Sequence, residues 1–94
     1  MADKQAFLEK LKAVHEFPGP YTFKIIGDNV PELLHAVMAA VNARLPKANP
    51  EFSTRTSSGG RHQSITLILE VPDAEAVSSL YEEFHGLKGV RMLL

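Results

Sequence analysis

The order in which hydrophobic periodicity changes along the chain constrains its fold more than any other feature. Phe7, Leu8, Leu11 and Val14 recur at helical spacing within residues 3–15, and strict alternation then begins at Tyr21, Phe23 and Ile25. From there the pattern reads strand, helix, strand, strand, helix, strand. That order predicts an α+β fold, the ferredoxin-like βαββαβ two-layer sandwich, with a four-stranded antiparallel sheet, two helices on one face and an added N-terminal helix. A length of 94 residues has room for one such domain. It is expected over residues 16–94, behind an amphipathic helical extension at 1–15.

Local signals mark each element. Phe17-Pro18-Gly19-Pro20 is a stiff connector, since each proline fixes its own φ and extends its predecessor. The first strand ends at Gly27-Asp28, and Asn29 is placed to cap the next helix, with Pro31 in the first turn and Glu32 three residues on. Leu34, Val37, Met38, Val41 and Leu45 form its apolar stripe. Asn49 to Ser58 is polar apart from Phe52 and reads as an edge strand, joined by a hairpin to the clear alternation of Ile65, Leu67, Leu69 and Val71. Asp73 caps the second core helix, whose stripe is Val77, Leu80, Tyr81 and Phe84. In the closing strand Val90, Met92 and Leu94 fall on one face, with Arg91 and Leu93 on the other.

Two helices with one stripe each cover one face of the sheet, so the alternate strand residues lie on an open face. The expected core is Phe23, Ile25, Phe52, Ile65, Leu67, Leu69, Val90, Met92 and the two stripes. The open face then displays Thr22, Lys24, Ile26, Arg55, Ser64, Thr66, Ile68, Glu70, Arg91 and Leu93. Ile26, Ile68 and Leu93 are candidate partner-binding residues, covered by the leader helix or by a second copy. Scattered surface aliphatics of no consequence account for them equally well. Lys24 and Arg91, from neighbouring strands, can attract an acidic ligand beside the Gly27–Asp28 turn or pair with Glu70, and pairing with Glu70 is the stronger expectation. Gly60 and Arg61 can contact an anion within Ser57 to His62, a segment that also reads as a plain hairpin turn.

Composition excludes several function classes. A formal charge of −1 gives no basic excess, and the central strands offer Lys24, Thr66 and Ile68 where an RNA-recognition sheet presents aromatics, so no nucleic acid partner is expected. The absence of cysteine removes disulfides, thiolate nucleophiles and cysteine-based metal sites, and suits a cytoplasmic protein. No apolar run reaches membrane or signal-peptide length, so neither membrane nor export is expected. The four histidines, His15, His35, His62 and His85, fall in separate segments without ligand spacing, so no metal and no cofactor is expected. Glu82 and Glu83 diverge by about 100° on a helix, and no acid, base and nucleophile converge, so no catalysis is expected. An acylphosphatase-like enzyme of this topology needs a phosphate cradle after the first strand, which Gly27-Asp28-Asn29-Val30-Pro31 does not supply.

From Glu16 to Leu94 the sequence resembles the YbeD-like proteins, a widespread group of small bacterial domains of unknown function. Phe17-Pro18, Pro20, Thr22, Lys24, Gly27 and Pro31-Glu32-Leu33 carry the resemblance in the first half. Ser57-Ser58, Gly60, Ser64-Ile65-Thr66, Leu80-Tyr81-Glu82, Val90-Arg91-Met92 and Leu94 carry it in the second. His62 stands where that family usually has tyrosine, and the leader helix exceeds that of shorter members. The resemblance implies a fold close to the ACT regulatory domains and a gene neighbourhood near lipoate attachment, and it brings no activity with it. The ACT pattern Asp-x-Pro-Gly-x-Leu is only partly kept in Asp28-Asn29-Val30-Pro31-Glu32-Leu33, where the glycine is missing.

The expected function is therefore a non-catalytic regulatory or adaptor domain, binding a protein partner or a second copy through its open sheet face. The alternative is an ACT-like small-ligand sensor using residues 27–32, with Lys24, Gly27, Asp28 and Arg91 as its contacts and a link to lipoate metabolism.

Overall fold

Alternation on one side of the two long strands gives the sheet its core face, and the computed structural model shows how the helices meet it. It describes residues 2–94, with side chains from Lys4 onward; Met1 and the side chains of Ala2 and Asp3 lie outside the described residues. The elements are α1 (Ala2–Val14), β1 (Gly19–Asp28), α2 (Pro31–Arg44), β2 (Glu51–Thr56), β3 (His62–Val71), α3 (Ala74–His85) and β4 (Val90–Leu93). The strands form one antiparallel sheet in the order β2-β3-β1-β4. This is the ferredoxin-like arrangement that the segment order predicts.

The β1–β3 register sets Phe23 beside Leu67 and Ile25 beside Ile65, and all four are fully buried. Leu33, Val37 and Val41 of α2, with Val77, Leu80 and Phe84 of α3, complete this core. Each such side chain stabilises the fold by about 1.5–3 kcal/mol on the scale of apolar transfer. Asp73 caps α3 by accepting from the Ala76 N–H at 2.8 Å. No helix among the described residues is long and apolar enough to cross a membrane.

Several expectations are corrected. The leader helix does not lie on the open sheet face. Leu8 and Leu11 enter the core, Phe7 meets Tyr81 edge-on at 5.7 Å, and Lys4 and Lys12 pair with Glu82 and Glu75 of α3 at 3.3 and 3.4 Å. Thus α1 joins the helical layer beside α3, where its narrow stripe finds apolar surface that the mixed sheet face lacks. Val30, not Asn29, is the N-cap of α2; the Asn29 amide instead donates to the Gly60 carbonyl at 3.0 Å. Leu33 is the deeply buried residue of the first turn, and Leu34 packs at its margin.

Phe52 is half exposed although it stands opposite buried Leu67 on the same face, because edge strand β2 lies beyond the cover of the helices. In β4 Val90 lies on the core face as expected, but beyond Arg91 the faces are reversed. Ile25 pairs with Leu93 and Ile26 with Met92, whereas Gly27 pairs with Val90, so Arg91 is an extra residue bulged from the ladder. Val90 and Leu93 therefore pack on the core, while Met92 and Leu94 are 53% and 60% exposed.

Candidate functional site

The open face is built in rows set by the two long registers. Glu51, Ile68 and Thr22 form one row, Ser53, Thr66 and Lys24 the next, and Arg55, Ser64 and Ile26 the third. Strand β4 extends two of them: Met92 lies opposite Ile26, and Leu94 exchanges backbone hydrogen bonds with Lys24 at 2.9 and 3.3 Å. Ile26, Met92 and Leu94 thus make an apolar strip along the β1–β4 side, with Ile68 standing apart and 41% exposed. Of the residues proposed from sequence for partner contact, Ile26 and Ile68 come to this face and Leu93 does not. Met92 and Leu94 are the members that sequence parity missed.

The loop end of the sheet is organised differently. Arg91 grips Asp28 through Nε at 2.9 Å and a second guanidinium nitrogen at 3.3 Å. The bulge that expels Arg91 from the ladder brings it to Asp28, so it pairs with neither Glu70 nor a shared ligand with Lys24. Gly27 is buried, and a Cβ there would stand 2.5 Å from the Gly89 carbonyl oxygen and 2.6 Å from Leu33 Cδ2. Its missing side chain is used by the protein's own packing. The N–H groups of Asp28, Asn29 and Val30 donate to the carbonyls of Gly89, Arg61 and Asp28.

Gln63, which sequence parity places at a core position, donates to the Asp28 and Val30 carbonyls at 3.1 and 3.0 Å and completes this clamp. A polar residue in the alternation Gln63, Ile65, Leu67 was the available signal for it. The hairpin tip carrying Gly60 and Arg61 is tied to the same loop through Asn29, and Gly60 takes a positive φ of 74°. Between the loop and Lys88-Gly89 lies a hollow of about 450 Å³ lined by Asp28, Val30, Glu32 and Leu33.

A third cluster sits at the junction of β1, α3 and β4. The hydroxyls of Tyr21 and Tyr81 are 3.1 Å apart, and Tyr81 donates to the Leu94 carbonyl at 3.2 Å. Burial first, and the bond to Tyr21 second, push the Tyr81 hydroxyl above its ordinary value. Among the described residues no group of three or more histidine, cysteine or acidic side chains is placed to hold a metal ion.

Residues 12–94 match the model of a family described as a protein of unknown function, DUF493. The chain belongs to this family. DUF493 relatives include a UPF0250 protein of Klebsiella pneumoniae, 35% identical over 85 residues that cover 90% of this chain and 97% of the relative. The UPF0250 protein YbeD of Salmonella newport is 34% identical over the same span and shares of each chain. Among solved structures, protein HP0495 from H. pylori superposes with a TM-score of 0.75 at 12% identity, covering 86% of each chain. The ACT domain of the GTP pyrophosphokinase of Chlorobium tepidum superposes with a TM-score of 0.59 at 10% identity, over 80% of this chain and 94% of that one. At such identities the likeness is one of fold, and it bears out the ferredoxin- and ACT-like architecture.

Proposed function

We propose that this member of DUF493 is a small non-catalytic docking module, regulatory or adaptor in role, that engages a protein partner across the open face of its sheet. One observation carries this proposal: Met92, Leu94 and Ile68 stand exposed on a face that neither the leader helix nor the core helices cover. An uncovered apolar strip rimmed by polar residues is the usual anatomy of an interaction surface. Replacing Ile68 and Met92 by aspartate tests it by capture of partners from native lysate. Loss of a specifically bound protein from a variant that still folds is the expected result; an unchanged set of bound proteins contradicts it.

A small-ligand sensor at residues 27–32 is the second reading, favoured by the hollow beside Lys88. Against it, the backbone donors of residues 28–30 are already paired, and Asp28 already holds Arg91. Thermal-shift screening with amino acids, lipoyl compounds and nucleotides decides between them, because a ligand bound there raises the melting temperature.

A further inference from the structure

The middle of the open face carries a charge pattern that specifies the chemistry of its occupant. Ser53, Thr66 and Lys24 are aligned across three strands, with Arg55 and Ser64 in the adjoining row. With Thr54 they line a shallow concavity of about 490 Å³. Strand spacing puts the backbones of Lys24 and Arg55 about 12 Å apart. The hydroxyls of Ser64 and Thr66 lie between them, so the two long side chains can converge on one acceptor group above β3.

Neither cation is neutralised from within. Among the described residues Lys4, Lys12, Arg44 and Arg91 pair with a carboxylate, whereas Lys24 and Arg55, like Lys10, Lys47, Arg61 and Lys88, make no ion pair; Lys24 and Arg55 differ from those four in sharing one concavity. Glu51 stands in the row next to that of Lys24, as far from it across the sheet as Arg55 is, yet makes no ion pair with it; Glu70 lies a row further, opposite Pro20, and Asp28 is held by Arg91. The cationic concavity borders the apolar strip through Ile26, which stands opposite both Ser64 and Met92.

We infer that the open face takes an acidic segment of a protein partner. Its carboxylates are held over Ser64 and Thr66 by Lys24 and Arg55, and its aliphatic side chains lie on Ile26 and Met92. This presupposes that the open face is the docking surface proposed above. Two unpaired cations among hydroxyl donors recognise a carboxylate through charge-assisted hydrogen bonds. Nucleic acid is disfavoured because Tyr21 and Phe23 turn to the helical side, leaving the centre of this face without an aromatic platform; the nearest ring, the imidazole of His62, stands at the loop end beyond Ser64. A second copy related by a two-fold axis over Lys24 and Arg55 would bring two pairs of cations together, and any other placement is read out by the dimer measurement below.

The test is an NMR titration of the isotopically labelled full chain with a peptide alternating glutamate and valine, beside the same peptide with glutamine in place of glutamate. The glutamate peptide is expected to shift the amides of Lys24, Ser53, Arg55, Ser64 and Thr66, and to bind more weakly as salt is added. Lys24→Glu combined with Arg55→Glu is expected to weaken it at least about tenfold. Lys24→Gln with Arg55→Gln serves the same purpose should charge reversal impair folding. Shifts confined to other surfaces, equal binding of the glutamine peptide, tighter binding of a single-stranded RNA at the same amides, or a concentration-dependent dimer through this face would each overturn the inference.

The two proposals fail separately. Partner capture lost on replacing Ile68 and Met92, with a glutamate peptide that ignores Lys24 and Arg55, overturns the acidic-segment inference and spares the docking face. Peptide binding at Lys24 and Arg55 with capture indifferent to Ile68 and Met92 overturns the apolar docking role and the aliphatic contact on Met92, and supports only the carboxylate contact.

Discussion

Gly27 is held between a backbone carbonyl and a core leucine, neither of which can retreat without moving an element. Because the Gly89 oxygen that crowds it also accepts the Asp28 N–H, an added methyl displaces the β1–α2 turn and the end of β4 together. Gly27→Ala should cost about 1–3 kcal/mol, measured as a lower urea midpoint at unchanged slope; a wild-type midpoint would contradict the packing described. Tyr81 gives a second test at this scale. Its neutral form is favoured in the fold, so its contribution to stability is complete below the ordinary value of 10.0 and is lost as pH rises beyond it. Tyr21→Phe leaves Tyr81 as the sole tyrosine. Burial is the larger cause of the shift, so its phenolate absorbance should still appear above pH 10.0 in the folded protein; titration at the ordinary value would contradict its burial.

Among the elements, β4 separates what is legible in sequence from what is not. Alternation assigned the core of β1 and β3 correctly, because Phe23, Ile25, Ile65, Leu67 and Leu69 all obey one parity in long strands. In the short β4 both parities carry aliphatic side chains, and one bulged residue exchanges them without leaving a compositional trace. Leu93→Asp should therefore lower stability by about 2 kcal/mol or more, whereas Met92→Asp should leave the melting temperature nearly unchanged. Equal effects would contradict the register. Phe52 departs from its parity for another reason, since its exposure depends on how far the helices extend sideways over the sheet. The leader helix was legible as amphipathic, but its docking side depends on which surface offers matching apolar area. Leu11→Ala should cost about 2–3 kcal/mol, and a value near zero would mean that α1 is not docked on α3. Glu75, held below its ordinary value of 4.5 first by its own backbone N–H and then by Lys12, adds stability present above that value and lost as pH falls below it.

At the scale of the whole molecule, the ten basic and eleven acidic residues nearly cancel. Their placement is uneven. The ion pairs to Glu75, Glu82 and Glu83 neutralise charge around α3, while the centre of the open face keeps Lys24 and Arg55 unpaired beside an apolar strip. Sequence parity had already put Lys24, Arg55, Ile26 and Ile68 on that face; what it lacked was the pairing of Arg91 with Asp28, which takes one cation out of the site. A face of this kind, on a fold whose loop end is clamped by its own hydrogen bonds, is the basis of the docking proposal. The most direct measurement is an amide-shift map of the labelled chain with a captured partner bound. The expected footprint covers Thr22, Ile26, Thr66, Ile68 and Met92 and disappears in the Ile68→Asp, Met92→Asp variant. A footprint on α1 and α3, or at the hollow beside Lys88, with the open-face amides unmoved, would contradict it.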